Sequence, residues 1–230
     1  MKILAIADIH GDVENLFTIL DKIREQTEFD VIVCPGDWTE INPPKGFTQL
    51  DVAMLILEEL KRFGKPIIAT PGNVDTKDII PYLEEEGVSV HGRGIVIENV
   101  GFYGYGGAKT PFNTNIEPTD EELRLGLEKS YKEVKNAKLR VQVTHMPPYM
   151  TKIDLISSGM HVGSKIIRDF IEKNQPHVAI SAHVHEAYGI DRIDNTYLIN
   201  PGRLPEGRAG IITIDEENKK VGVDILKILV

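Results

Sequence analysis

The stretch SAHVH (residues 181–185) directly follows the apolar run VAI (residues 178–180). The apolar run predicts a buried strand, and side chains two positions apart on an extended chain point to the same side. His183 and His185 should therefore project together from the end of this strand. An isolated His-x-His pattern fits a solvated or buried pair of imidazoles as well as a metal site. The rest of the chain must therefore be used to choose between these interpretations.

The same arrangement occurs near the N-terminus. The apolar run ILAIA (residues 3–7) is followed by Asp8 and, two positions later, His10. A predicted strand that ends in two ligand-type side chains on one side therefore appears twice in the chain.

Three further predicted strands end in a polar side chain of the same kind. VIVC (residues 31–34) leads to Asp37, PIIAT (66–70) leads to Asn73, and LRVQV (139–143) leads to His145. Helical spacing of apolar residues over 11–26 joins the first two strands into a β-α-β unit, which predicts a parallel pair. Because ligands collect at the carboxyl ends of parallel strands, these side chains are expected at one rim of a sheet. Taken alone, Asn73 also fits a turn residue or a helix cap.

The remaining pattern predicts more helices and an antiparallel C-terminal part. Residues 50–62 and 164–173 have helical spacing, and Thr119 with Glu122 forms a capping box that opens a charged surface helix to about Asn136. Residues 149–163 form an irregular excursion, and hairpin-like turns after residue 193 favour antiparallel edge strands.

Composition narrows the class of protein. The 230 residues are 41% hydrophobic and contain no linker, which predicts a single domain over 1–230. A net charge of -9 disfavours a surface for duplex nucleic acid or for an anionic membrane. The one cysteine, Cys34, excludes disulfides and thiolate clusters and is expected in a buried strand. With no signal-peptide pattern and no apolar stretch of about 20 residues, a cytoplasmic location is expected. A homo-oligomer is compatible with the sequence.

Five blocks stand in order: Asp8-x-His10, Gly36-Asp37, Gly72-Asn73, His145-x-Pro-Pro and His183-x-His185. This series resembles the calcineurin-like metallophosphoesterase superfamily, whose motifs run Asp-x-His, Gly-Asp, Gly-Asn-His-Asp/Glu, His-x-Pro-Pro and Gly-His-x-His. The resemblance covers residues 1 to about 203 and ends at an Asn-Pro-Gly turn. It implies an α/β fold, a four-layer α/β/β/α sandwich of two mixed sheets flanked by helices, with a two-metal centre.

The resemblance also implies which residues bind the two divalent ions. One ion would be held by Asp8, His10, Asp37 and His185, and the other by Asn73, His145, His183 and the bridging Asp37. Such mixed ligands suit Mn, Fe, Zn, Ni or Co better than Ca or Mg. The implied reaction is hydrolysis of a phosphodiester or phosphomonoester by a hydroxide that bridges the two ions. His91 and His177 have no place in the pattern and are expected to pack or lie on the surface.

One motif departs from the family pattern. The family's Gly-Asn-His-Asp/Glu is Gly72-Asn73-Val74-Asp75 here, so the histidine that is thought to protonate the leaving group is absent. General acid catalysis is worth about 10² to 10⁴ in rate. The enzyme would then favour good leaving groups or use another proton donor, for which His161 is a candidate, although a loop-packing or exposed histidine is the ordinary interpretation.

A second hypothesis is a non-catalytic metal-binding or protein-interaction scaffold. It would be similar to the retromer subunit, a superfamily relative that also lacks this histidine. All seven ligand positions are filled here, which favours catalysis.

Two residues are candidates for contact with a small phosphoester substrate. Trp38 could stack on a base or an aromatic leaving group, or pack against loop 39–48. Arg203 could bind a phosphate oxygen, or lie exposed on the surface. Cyclic nucleotides, nucleotide-derived diesters and small monoesters all fit the pattern.

Overall fold

The computed structural model of the protein describes residues 1–218 and 220–228. The strands are β1 (Lys2–Ala5), β2 (Val31–Cys34), β3 (Ile67–Ala69), β4 (Gly94–Ile97), β5 (Val100–Tyr105), β6 (Leu139–Thr144), β7 (Val178–Ile180), β8 (Gly189–Ile193), β9 (Thr196–Asn200), β10 (Arg208–Asp215) and β11 (Lys220–Lys227). The α-helices are α1 (Val13–Gln26), α2 (Gln49–Lys61), α3 (Ile79–Glu85), α4 (Asp120–Val134) and α5 (Lys165–Asn174). Short 3-10 turns cover Lys152–Asp154, His185–Ala187 and Leu204–Glu206.

The first sheet has the strand order β11-β10-β1-β2-β3. β1, β2 and β3 run parallel, whereas β10 and β11 pair antiparallel on the other side of β1. The predicted β-α-β unit is therefore present, with α1 as its crossover. Because the three parallel strands end at the same rim, residues 8, 37 and 73 are delivered there together.

The second sheet has the order β4-β5-β6-β7-β9-β8. Its four central strands are parallel, and β4 and β8 close the two edges as antiparallel strands. The ends of β6 and β7 supply residues 145 and 183–185. The antiparallel C-terminal edges predicted from the turns are present in both sheets.

Three apolar clusters show how the layers stack. The inner faces of the two sheets share one cluster, which contains Ile3, Val33, Phe102, Val141 and Ile199. Helices α1, α2 and α3 pack on the outer face of the first sheet, and α4 and α5 on the outer face of the second. The result is the four-layer α/β/β/α sandwich that the family resemblance implied.

Local sequence signals set several helix ends. Thr48 opens α2 and Thr119 opens α4, each through a capping box in which the threonine and the acidic residue three positions later bond to each other's backbone. The predicted helix at Thr119 is thus confirmed, but α4 is not confined to the surface. Its Leu123 and Leu127 are buried against the second sheet.

Two other features differ from the predicted pattern. The apolar residue Leu55, inside the predicted helix 50–62, is exposed, and helix α3 has no counterpart among the predicted elements. No helix in residues 1–218 and 220–228 is long and apolar enough to cross a membrane.

Candidate metal centre

The seven residues that the motifs single out meet between the ends of the two sheets. Asp8 and His10 follow β1, Asp37 follows β2, Asn73 follows β3, His145 follows β6, and His183 and His185 follow β7. Each side chain therefore comes from the loop directly beyond a buried strand. This placement uses the rigidity of the sheets to position groups that are far apart in sequence.

The first group of ligand atoms belongs to Asp8, His10, Asp37 and His185, and these atoms all lie within 4.8 Å of one another. Nε2 of His10 is 3.1 Å from Nε2 of His185 and 3.7 Å from Oδ2 of Asp37. Nε2 of His185 is 3.8 Å from Oδ2 of Asp8. Two carboxylates and two ring nitrogens thus point at one small volume, which we call the outer half.

The second group belongs to Asp37, His145 and His183, whose ligand atoms also lie within 4.8 Å of one another. Nε2 of His145 is 3.3 Å from Oδ2 of Asp37 and 3.0 Å from Oδ1 of Asn73. The other ring nitrogen of His145 lies 2.9 Å from the Pro35 carbonyl, which fixes the proton on Nδ1 and turns Nε2 inward. We call this group the inner half, and Asp37 belongs to both halves.

The backbone at four of the seven ligands is left-handed. φ is 51° at Asp8, His10 and Asp37 and 70° at His183. This conformation costs about 1–2 kcal/mol per non-glycine residue and concentrates at functional sites. The loops hold it by bonding to each other: the amide of Asp8 donates to the Gly36 carbonyl, and that of His10 to the Asp37 carbonyl.

Burial sets the protonation states in the outer half. Burial and, to a lesser extent, the nearby Asp37 carboxylate raise the pKa of Asp8 to about 7 against the opposing effect of His145. Burial lowers the pKa of His10 to about 4. Oδ2 of Asp8 is buried and has no hydrogen-bond partner among the described residues. A buried carboxylate oxygen without a donor is a costly arrangement that a cation would relieve.

In the inner half, Asp37 and His145 form a buried ion pair. Burial alone would raise the pKa of Asp37, but His145 lowers it to well below its usual range. The same pair outweighs the effect of burial on His145 and raises its pKa to about 9. Burial and His145 together lower the pKa of His183 to about 3.

These donors fit a pair of divalent transition-metal ions. Two carboxylates, four imidazoles and one amide oxygen supply the mixed oxygen and nitrogen set that such ions prefer. The unpartnered oxygen of Asp8 and the neutral imidazoles of His10 and His183 are in a state suited to a cation. Asp8, Asp37 and the histidines form the clusters that could bind metal.

Val74 supplies no imidazole, but it lies in a turn that is held by hydrogen bonds. Its amide donates to Oδ1 of Asp37 at 3.1 Å, and its carbonyl accepts a hydrogen bond from the Gln49 side chain at 2.7 Å. The next residue, Asp75, is buried and accepts hydrogen bonds from the amides of Gly72 and Thr39. The turn therefore keeps its role in orienting Asp37.

Of the two predicted substrate contacts, Arg203 remains a candidate. Its side chain is 30% exposed. Its positive charge opposes the upward shift in the pKa of Asp8 and adds to the effect of burial that lowers the pKa of His10 and His185, which places it beside the outer half. Its Nε atom is buried and has no hydrogen-bond partner within residues 1–218 and 220–228.

The stacking prediction for Trp38 is wrong. Its ring is completely buried in the cluster beneath α1 and α2, and its N–H donates to the Thr70 carbonyl at 3.0 Å. With no face open to a ligand, the ring serves the core of the first sheet.

His161 lies in the irregular excursion between β6 and α5. Its Nδ1 is 2.7 Å from Oδ1 of Asp154, a buried carboxylate that also accepts from the amides of Thr151 and Gly163. No contact joins His161 to the seven ligand side chains in the described part of the chain. The proton-donor role of His161 stays a prediction.

The structure brings further residues to the centre that sequence reasoning missed. Oε1 of Glu40 approaches Nδ1 of His10 to 2.9 Å without an aligned hydrogen bond, and Thr114 accepts a hydrogen bond from the Asn73 amide. Glu40 could have been found by its position three residues after Asp37. Thr114 lies 41 residues from its partner in an irregular segment, where no local signal points to it.

The comparison with protein families decides the identity of the fold. A sequence model described as calcineurin-like phosphoesterase matches residues 1–187 of the 230. The chain belongs to the calcineurin-like phosphoesterase family. This membership confirms the resemblance that the five motifs indicated. Together, the family and the two clusters of aspartate and histidine side chains in this chain support a metallophosphoesterase with a two-metal centre.

Individual relatives agree with the family assignment. An uncharacterized protein of Methanocaldococcus jannaschii is 38% identical over 207 residues, which cover 87% of this chain and 88% of the relative. The crystal structure of the Thermus thermophilus protein TT1561 has a TM-score of 0.70 at 21% identity, with 97% of each chain covered. That of a dimetal phosphatase from Danio rerio has a TM-score of 0.60 at 10% identity, with 100% and 99% covered. At these identities the two structures establish the shared fold.

Proposed function

We propose that this chain is a metal-dependent hydrolase of a small phosphodiester or phosphomonoester. The observation that carries the proposal is the convergence of seven ligand side chains into two halves that share Asp37. Asp8, His10, Asp37 and His185 would hold one divalent ion, and Asp37, Asn73, His145 and His183 would hold the other. The two ions would activate water as a hydroxide nucleophile and polarise the phosphoryl oxygens.

Charge explains why an acidic protein would attract an anionic substrate there. Two divalent ions bring about four positive charges, whereas Asp8 and Asp37 bring two negative ones. The remaining charge of about +2 is reinforced by Arg203 at the edge of the outer half. Arg203 would bind a phosphoryl oxygen through its guanidinium, which suits phosphate in geometry and charge.

The substitution at Val74 shapes the proposed substrate class. A valine side chain can donate no proton, so esters whose alcohol leaves readily as an anion, such as aryl esters, should be preferred. Cleavage of alkyl esters would depend on another donor, for which His161 remains the candidate. If His161→Ala leaves both the alkyl-ester rate and its pH profile unchanged, His161 has no part in the reaction.

A panel of phosphoesters and metals tests the proposal directly. Chelator-stripped protein is reloaded with Mn²⁺, Fe²⁺, Zn²⁺, Ni²⁺ or Co²⁺ and assayed with aryl phosphodiesters and aryl phosphomonoesters. Turnover with at least one metal, abolished by chelator and restored by the same metal, is expected. Failure of every metal with every ester would overturn the proposal.

The valine at position 74 is also compatible with a non-catalytic scaffold, because a protein-interaction module does not need a proton donor. The substitution Val74→His separates the two functions. In an enzyme, an imidazole at this position should raise the rate on alkyl esters by roughly 10² or more and change aryl esters little. In a scaffold, neither ester class would be cleaved before or after the substitution.

A further inference from the structure

The segment 107–118, between β5 and α4, is fastened to the turn that carries Asn73. The amide of Gly107 donates to the Pro71 carbonyl at 2.9 Å, and the amide of Ile116 donates to the Asn73 carbonyl at 3.0 Å. The segment therefore lies directly behind one ligand of the inner half.

Within this segment, Thr114 contacts the side chain of Asn73. Nδ2 of Asn73 donates to Oγ1 of Thr114 at 3.1 Å, while Oδ1 of Asn73 faces Nε2 of His145 at 3.0 Å. Asn73 is only 3% exposed, so water has little access to replace either partner. The two ends of the amide are thus assigned to two different neighbours.

Glu117 determines which end of the Asn73 amide faces Thr114. The hydroxyl of Thr114 donates to Oε1 of Glu117 at 2.7 Å, and the Thr114 amide donates to the same oxygen at 2.7 Å. Burial opposes ionisation of Glu117, but the hydrogen bonds from Thr110 and Thr114 prevail and lower its pKa to about 2. At neutral pH the carboxylate can only accept hydrogen bonds.

The direction of this chain of hydrogen bonds fixes the amide. A threonine hydroxyl has one proton, and Thr114 gives it to Glu117, so toward Asn73 its oxygen can only accept. Only the NH₂ end of Asn73 can satisfy it. The amide oxygen is then left facing the inner half, where a cation requires an oxygen ligand.

We propose that Thr114, oriented by Glu117, is a positioning residue that fixes the Asn73 amide with its oxygen toward the ion of the inner half. The inference rests on the metal centre of the proposed function. Without the Thr114 hydroxyl, the amide can turn over and present its NH₂ group, which cannot bind a cation. The ion of the outer half does not depend on this contact.

Metal titration tests the inference without any assay of hydrolysis. Purified full-length protein is stripped with chelator and titrated with Mn²⁺, and the number of bound ions and their dissociation constants are measured. Wild type should bind two ions. Thr114→Val keeps the shape of the side chain and removes the hydroxyl, so one ion should bind as before and the other about 10- to 100-fold more weakly, a loss of the size seen for outer-shell partners of metal ligands.

Two matched variants separate positioning from a general effect on the segment. Thr114→Ser keeps the hydroxyl and should restore the affinity of wild type. Thr110→Val removes another hydroxyl that donates to the same Glu117 oxygen, at 2.6 Å, but no hydrogen bond joins Thr110 to Asn73 in the described chain, so both ions should bind as in wild type. Thermal unfolding of each variant is measured to check that the substitution leaves the protein folded.

Three results would overturn the inference. Thr114→Val could bind both ions as tightly as wild type, Thr110→Val could weaken the same ion equally, or Thr114→Ser could fail to restore it. A wild-type chain that binds fewer than two Mn²⁺ ions would overturn the proposed two-metal function as well. The two failures are therefore told apart by the wild-type titration.

Discussion

The inner and outer halves of the metal centre differ in how firmly the protein holds their ligands. In the inner half, His145 is fully buried and bonded to the Pro35 carbonyl, and Asn73 is bonded to Thr114. In the outer half, the His185 side chain is 37% exposed. The group beside Nδ1 of His10 is the carboxylate of Glu40, whose side chain is 51% exposed. The inner half is thus organised before an ion binds, whereas the outer half should be shaped partly by the ion and the substrate.

Asp37 joins the two halves, so its removal gives the largest expected effect. In Asp37→Asn, both ions lose their shared carboxylate, and hydrolysis should fall by roughly 10³ or more, beyond the 10- to 100-fold loss typical of an outer-shell partner. Metal analysis should show fewer than two ions per chain. Asp169→Asn, at an exposed aspartate of α5, serves as the control. Two tightly bound ions in Asp37→Asn would remove its bridging role.

The next largest effect compares one histidine from each half in metal-free protein. His145→Ala leaves Asp37 as a buried charge without its partner, which should lower the free energy of unfolding by about 3 kcal/mol or more. His185→Ala changes a partly exposed residue and should cost no more than about 1 kcal/mol. Urea unfolding in the presence of chelator measures both, and equal losses would contradict the difference between the halves.

The two halves should also respond to pH differently. The pKa of Asp8 is raised by burial to about 7, so below that pH a cation must displace its proton. Asp37 raises the pKa of His145 to about 9 in spite of burial, so a cation must displace a proton from His145 at every pH below about 9. Affinity should therefore rise with pH in both halves, about tenfold per pH unit for each displaced proton.

The outer half should reach its full affinity above about pH 7, and the inner half only above about pH 9. Calorimetry in buffers of different ionisation enthalpy counts the protons released as Mn²⁺ binds. An affinity that stays constant between about pH 6 and about pH 9, with no proton release, would contradict these protonation states.

The smallest expected effect concerns Glu40. Since this carboxylate approaches His10 without an aligned hydrogen bond, Glu40→Ala should weaken the ion of the outer half by about tenfold, the lower end of the range for outer-shell partners. The ion of the inner half should be unaffected. Mn²⁺ titration distinguishes the two, and Glu25→Ala on the exposed side of α1 is a suitable control. A larger loss in the inner half would reverse the assignment.

The sheets and the ligand positions could be predicted from the sequence because both follow local rules. Buried parallel strands appear as short apolar runs, and the residue just beyond each run lies at the same rim. This logic placed Asp8, Asp37, Asn73, His145 and His183 correctly beyond strand ends. Helix α3 was not predicted because its seven residues, which include Pro81, are too few to show a helical period of apolar side chains.

Contacts between loops could not be predicted in the same way. The pairing of Thr114 with Asn73 and that of Glu40 with His10 depend on how irregular segments cross in space, which no period in the sequence records. Trp38 was misjudged for a related reason. Its position next to Asp37 indicated proximity to the centre, but the direction of the side chain is set by the local backbone, which turns the ring into the core beneath α1 and α2.

The left-handed backbone at Asp8, His10, Asp37 and His183 has a consequence for attempts to engineer this protein. Glycine adopts that conformation freely, so a library selected for heat resistance in chelator should accumulate glycine at Asp8, His10 and His183, whereas the ion pair with His145 disfavours it at Asp37. Each such replacement would delete a ligand. Selection for thermal tolerance alone would therefore erase the metal centre, and any thermostable variant intended to work must be chosen with metal present.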